Sequence, residues 1–506
     1  MARLSCASRL CRAGRATARP CAVRDARASR PRPCGLAGKG LRCSGAPYGV
    51  WSNTLPCLIF ALVAFHGFVC WYNSAYRQVR HIPYTELLNL ENFLSFQETS
   101  SQYTGRRGRI LPQHPYTHML DDQLSTPDRY RIFILGAGFS AHAGMPLGAQ
   151  LFELVRKSVQ YRYGTDNKLE RDLDWYLKYR MRCDGIPIEH PVDYEKFMSY
   201  LDLEHYLGLR GSDTWSEEGN ESQLIIRNGI MEVIYSRTPE TPTKECISFC
   251  EQLSSSDTVL TFNYDTLVED TLDYLGKRYR LFPNRLKEVG LMSSVVDSEA
   301  EKGEMLISKL HGSIDWYDKL PYIKDRELAA QHKYPWESRH PVFRDGSSIA
   351  HTQLIEGPYD EDDPLQYVHR VNDLSQIVDS QFWQCSPLIL SPSSSKLLYA
   401  NPLKSLWRGL QRAGGLNLGL GVIGYSLPPY DEYARQALYH LMRNYTEYEP
   451  GLELNGIIKR PARIIDYCTP GASDGQIRMN YSFMNWDRCK LNTSGLTIES
   501  IDWIMQ

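Results

Sequence analysis

None of the 13 cysteines forms a CxxC pair, so the paired-thiolate pattern of a structural zinc ribbon is missing. Five of them, Cys6, Cys11, Cys21, Cys34 and Cys43, crowd the first 43 residues, and Cys57 and Cys70 follow in an apolar stretch. The remaining six, Cys183, Cys246, Cys250, Cys385, Cys468 and Cys489, are scattered, which suits buried reduced thiols better than a disulfide framework. The chain also lacks an excess of charge: its net charge of −2 gives no global case for a nucleic-acid partner, and none is expected. No repeat or low-complexity block interrupts 127–480. No His or Cys accompanies the acidic run Tyr359–Asp363, which reads as a solvated loop and not as a metal site.

Charge is nevertheless unevenly placed. Residues 1–43 hold ten arginines and one lysine against a single acid, Asp25, and the remainder is clearly acidic. Residues 1–50 read equally as an organelle transit peptide and as a disordered basic tail. Leu55–Tyr72, within an expected anchor at 51–75, contains no Asp, Glu, Lys or Arg. A bilayer-spanning helix needs about 20 apolar residues, so one membrane tether is expected, with Trp51, Trp71 and Tyr72 at the interface. The alternatives are a signal-peptide core or a buried helix, the latter leaving a soluble cytoplasmic protein. The basic flank precedes the span, which puts the large C-terminal part on the non-cytoplasmic side. Residues 76–126, with Gly105 to Arg109, read as a linker.

The globular part is organised around Arg131–Pro146, RIFILGAGFSAHAGMP. Ile132–Leu135 is a short, fully apolar run of the kind buried on both faces of a parallel sheet. It opens into Gly136-Ala137-Gly138, after which Leu147, Leu151, Leu154 and Val155 share a helical face. Glycines in such a turn permit positive φ and close approach of a ligand, and free amides at a helix start favour an anion. The third glycine comes late, at Gly144, and no acid-ended second strand follows about 20 residues on, which disfavours a classical dehydrogenase. Residues 150–257 pattern as helices, including Asp193–Leu207. Further strands are expected at Thr258–Phe262, Met305–Leu310, Pro387–Leu390, Leu418–Ile423 and Ala462–Asp466. Apolar strands alternating with helices give an α/β fold: a doubly wound, Rossmann-like parallel sheet with a helical insertion after the first βα unit. The domain is expected over 127–480, with 481–506 as a C-terminal tail.

Ligands of such sheets bind beyond the carboxyl ends of the strands, and polar clusters fall at those ends. They are Gly136–Ser140, Asn263-Tyr264-Asp265, His311-Gly312-Ser313, Gly424-Tyr425-Ser426 and Asp466-Tyr467. Each has a plain structural reading as well. His311 can cap a strand, 263–265 can form an Asx-type turn, and 424–428 is compatible with an ordinary turn.

In this order, GAGFSAHAGMP, TFNYD, KLHGS and VIGYSLPPYD resemble the sirtuin superfamily. They look closer to the zinc-free sirtuin-like domains of NAD-depleting defence proteins than to protein deacetylases. The resemblance covers about 127–480. It implies NAD as substrate and no zinc, with Gly136, Ala137, Gly138 and Ser140 lining the pyrophosphate site. It further implies that Asn263 binds the nicotinamide ribose or a water, that Asp265 orients that site, and that His311 is the catalytic histidine. Gly424 and Ser426 correspond to the glycine–serine turn on phosphates and ribose, and Asp466 and Tyr467 to the adenosine contact. Pro146 is followed by Leu147-Gly148-Ala149 instead of Asp-Phe-Arg, and the four-cysteine zinc module is missing; both departures point away from peptide deacetylation. The implied activity is therefore NAD+ hydrolysis to nicotinamide and ADP-ribose. The alternatives are a deacylase or ADP-ribosyltransferase, and a catalytically silent NAD or ADP-ribose sensor. A homo-oligomer is compatible with each. An NAD-consuming site favours the cell interior, opposite to the side given by the charge flanking the expected anchor.

Overall fold

The computed structural model describes residues 130–506 except 212–215, 284–286, 290–293, 297–302, 334, 336–339, 357–361, 379–384, 429–430, 455 and 469–472. The expected basic tail, membrane anchor and linker all lie outside the described residues, as does most of the acidic run 359–363. Among the described residues no helix is long and apolar enough to cross a membrane.

Seven strands form the central sheet: β1 (Arg131–Leu135), β2 (Thr258–Thr261), β3 (Tyr279–Arg280), β4 (Met305–Lys309), β5 (Gly419–Ile423), β6 (Ala462–Ile465) and β7 (Cys489–Asn492). Their order is β7-β6-β5-β1-β2-β4-β3, and every pairing is parallel. All five residues of β1 are buried, because helices cover both faces of a parallel sheet. From β1 the chain fills one side of the sheet with β2, β3 and β4. It then returns to the other side with β5, β6 and β7, so the winding reverses between β1 and β5.

Among the described residues, five helices of eight residues or more lie between β1 and β2, after a short turn of helix at Ala137–Ser140: α1 (Gly148–Tyr163), α2 (Lys168–Asp184), α3 (Tyr194–Tyr206), α4 (Glu221–Arg237) and α5 (Lys244–Glu251). Helix α4 is buried almost throughout, and Gly229 lets it approach α1: a Cβ there would lie 2.7 Å from Val155 Cγ1. Its N-terminus is closed by a reciprocal Asn220–Gln223 capping box. After β2 come α6 (Leu267–Leu275) and, beyond β5, α7 (Glu432–Glu447); α8 (Ile498–Met505) ends the chain.

Two expectations need correction. Pro387–Leu390 is not a strand of the sheet. The Ile389 amide donates to Pro387 O, a three-residue turn that breaks the extended run, and the segment bonds to the loop after β4 and not to the sheet: the Leu388 amide donates to Trp316 O at 2.7 Å, the Leu390 amide to His311 O at 2.9 Å, and the Ser313 amide to Leu388 O at 3.1 Å. Residues 481–506 are not a tail. They supply the edge strand β7 and helix α8, which packs on α5 and β6. The sequence CKLN of β7 has no apolar run, and the two residues of β3 are too few to carry a pattern.

One buried ion pair ties the start of the sheet to the end of the chain. The Arg131 guanidinium grips the Asp257 carboxylate through Nε at 3.1 Å and Nη2 at 2.6 Å, and also donates to Gln252 O and Met505 O. Replacing Arg131 by Met strands a buried carboxylate. It is expected to lower the stability of the full chain by about 3–5 kcal/mol, measured as a fall in the urea midpoint.

Candidate active site

Residues 136–138 and 424–425 leave β1 and β5 side by side, at the reversal of winding. The Gly136 amide donates to Ile423 O at 3.0 Å and the Gly138 amide to Gly424 O at 2.9 Å. A Cβ on Gly136 would stand 2.5 Å from Tyr425 Cα, and one on Gly138 would stand 2.7 Å from Gly424 Cα. Gly424 itself has φ +61°. These glycines are required because two turns touch backbone to backbone. That corrects the expectation of positive φ at the first turn, since Gly136 is extended at φ −120°. It also corrects the expectation of free amides there: those of Gly136, Gly138 and Phe139 are already engaged. Ala137 is exposed beside them.

Asn263, two residues past β2, joins this turn to the next strand end. Its Nδ2 donates to Gly136 O at 2.9 Å and to Ser140 Oγ at 3.0 Å. The Ser140 hydroxyl donates in turn to Asp265 Oδ2 at 2.7 Å. Asp265 Oδ1 accepts from the Leu267 amide at 3.2 Å, so this residue also makes the Asx-type turn that starts α6. All three side chains are buried. Beneath them lies Lys309, fully buried, whose ammonium donates to Asp265 O and pairs with Glu269 at 2.9 Å. Sequence reasoning missed Lys309 because KLHGS was read for its histidine. The available signal was a lysine two residues beyond the apolar run Met305–Ile307.

The β2–β4 register pairs Thr261 with Lys309. Asn263 and His311, each two residues further, therefore leave the sheet from neighbouring strands. Gly312, at φ +81°, makes the turn after His311, where any Cβ would strike Leu388 O at 2.0 Å. The His311 ring meets Phe262 edge-on at 4.9 Å and lies 6.4 Å from Trp407 and 5.9 Å from Tyr433. Its Nε2 is hydrogen bonded to the Tyr433 hydroxyl at 2.5 Å. Burial, with Lys396 adding to it, holds its pKa well below the ordinary histidine value. Phe262 stacks on Tyr425 at 4.1 Å, so the 424–426 turn supports the wall beside the imidazole. Lys396, from the serine-rich stretch 391–396, pairs with Asp431, which also accepts from Tyr425 Oη at 3.1 Å. Trp407, Tyr433, Lys396 and Asp431 carry no periodic signal and were not foreseen.

The remaining expected residues are more peripheral. Ser426 is exposed, and its carbonyl accepts from Asn480 Nδ2 at 2.7 Å. Asp466 follows the last residue of β6, one strand beyond β5. Its carboxylate accepts from the Tyr467 amide at 2.8 Å, and burial raises its pKa. Tyr467 is 65% exposed. The structure thus brings together Gly136, Gly138, Ser140, Asn263, Asp265 and Gly424, with His311 on the adjoining strand end, and leaves Asp466 and Tyr467 at the rim.

Among the described residues no group of three or more His, Cys, Asp or Glu side chains is arranged to hold a metal ion. Cavities of about 150 and 180 Å³ lie elsewhere. One is between the end of α4 and α6, and the other is at the amino ends of β1 and β5; neither is lined by Asn263 or His311.

Residues 257–344, which include TFNYD and KLHGS, match the SIR2-like domain family. No curated protein matches the chain. Similar solved structures include "Sir2-p53 peptide-NAD+" and "Structure of Sir2Tm bound to a propionylated peptide". Each is 12% identical over 78% of this chain and 98% of that chain, with a TM-score of 0.25. The SIR2-like match spans the two strand ends that bear Asn263 and His311.

Proposed function

We propose that the protein is an NAD+-consuming enzyme that cleaves the nicotinamide–ribose bond and releases nicotinamide and ADP-ribose. The observation that carries this reading is the buried network Gly136–Asn263–Ser140–Asp265 at the reversal of winding, with His311 on the next strand end. A dinucleotide binds α/β sheets at such a reversal. In this reading the paired turns at 136–138 and 424–426 face the dinucleotide, with exposed Ala137 and Ser426 as contacts for phosphate and ribose and Asp466 and Tyr467 toward adenosine.

Loss of nicotinamide leaves an oxocarbenium-like ribose, which fixed dipoles stabilise without reorganising. Asn263 does not titrate, so its contribution is geometric: its amide orients a ribose hydroxyl or the attacking water. Asp265, which accepts the Ser140 hydroxyl, keeps that amide in place. In hydrolysis the C1′–nitrogen bond breaks with its electron pair on nicotinamide. The water oxygen bonds to C1′, and the proton released passes through a ribose hydroxyl to neutral His311.

Deacylation and ADP-ribosyl transfer begin with the same bond cleavage and differ in the acceptor. A dependence of turnover on acyl-lysine peptide distinguishes them. The occluded imidazole favours the sensor as a second reading, and tight binding of intact NAD+ without cleavage would establish it.

The full chain is expected to release nicotinamide from NAD+, and His311→Ala and Asn263→Ala to lower that rate by about 100-fold or more; undiminished turnover in both variants would refute the mechanism. Because burial depresses the His311 pKa, the base stays neutral as pH falls through the ordinary histidine range of about 6.5. The rate of nicotinamide release should therefore stay level between about pH 8 and pH 6, and an acid limb centred near 6.5 would contradict a buried base.

A further inference from the structure

The imidazole at the centre of this site is already occupied. His311 is 4% exposed, and the Tyr433 hydroxyl sits on its Nε2. Tyr433 lies in the first turn of α7 and is itself held from several sides. The Trp407 ring meets it at 5.1 Å, and the Lys396 ammonium stands 5.7 Å above its ring. Lys396 pairs with Asp431 immediately before α7, and both are buried. Asp431 is further tied to Tyr425, whose ring forms the stack behind Phe262.

A hydroxyl on the imidazole edge is the contact that a sugar hydroxyl of the substrate needs. We propose that Tyr433 is the resident occupant of that position, an autoinhibitory contact that the ribose displaces, and that the Lys396–Asp431 pair holds the start of α7 against His311. The proposal rests on the NAD+ reading above and adds its regulation. The contact is suited to displacement. Burial keeps the phenol neutral by raising its pKa far above the usual tyrosine value, and it keeps the imidazole neutral as well. A bond between neutral groups has a smaller net worth than a charged one, so an incoming hydroxyl exchanges for it at little cost.

The test uses the full chain without NAD+, treated with diethyl pyrocarbonate, which acylates accessible neutral imidazoles. Modification is read by peptide mass at His311 against the exposed His190. In the unsubstituted protein His311 is expected to react at least about tenfold more slowly than His190, and in Tyr433→Ala to approach it. Tyr433→Phe keeps the ring and removes the hydroxyl. It is expected to lower KM for NAD+ about fivefold with little change in kcat, the fold-change of one ordinary hydrogen bond. Equal His311 reactivity in the unsubstituted protein and Tyr433→Ala, or an unchanged or raised KM in Tyr433→Phe, overturns the proposal. Faster His311 modification in Tyr433→Ala with no NAD+ binding by any variant supports the shielding role and refutes the NAD+ reading instead.

Discussion

The Asn263 side-chain amide is the point on which the site depends. It donates to a carbonyl of the first turn and to the hydroxyl of Ser140, and so fixes the end of β2 against the end of β1. Ser140 passes the constraint to Asp265, and Lys309 holds the same peptide from below. A buried ammonium needs hydrogen-bonded and charged partners, and Lys309 has Asp265 O and the Glu269 carboxylate. The Asn–Tyr–Asp turn, the start of α6 and the end of β4 are thereby one rigid unit. Pre-organisation of this kind is what a site acting through fixed dipoles requires.

The glycines at 136, 138 and 424 show how one residue type can answer two demands. Glycine at a strand-to-helix turn is ordinarily credited to a phosphate. Here the nearest atoms to each missing Cβ are backbone atoms of the other turn. The close approach that leaves room for a ligand is first a close approach of β1 to β5. The Gly136 and Gly138 amides are already spent on that contact and the Gly424 amide on Ile465 O of β6, so a phosphate must find other donors.

The helical insertion contributes to the site from a distance. Asp202 of α3 accepts hydrogen bonds from Ser393 and Gln223, and Ser199 meets Ser394 at 2.9 Å. These bonds set the serine-rich stretch that ends in Lys396, and Lys396 reaches the Asp431–Tyr433 turn over His311. Packing among α3, α4 and this stretch is therefore connected to the position of the phenol on the imidazole. The C-terminal residues act similarly, since Tyr481 donates to Tyr425 O behind the stacked Phe262.

The sequence alone determined the order of strand, turn and helix, the parallel character of the sheet, and the polar residues that end its strands. Those properties follow from runs of a few residues, such as the apolar Ile132–Leu135 or the abrupt change at Asn263, and local periodicity is visible in a linear string. It was silent on β7, on Lys309 as a support, and on Tyr433 as the partner of His311. It also misjudged Pro387–Leu390, whose apolar composition resembles a strand although its backbone turns back on itself. Only the tertiary structure decided these, because each depends on contacts between segments far apart in the chain. The placement of β5 beside β1 gives the glycines their role, and the return of α7 over β4 closes the imidazole.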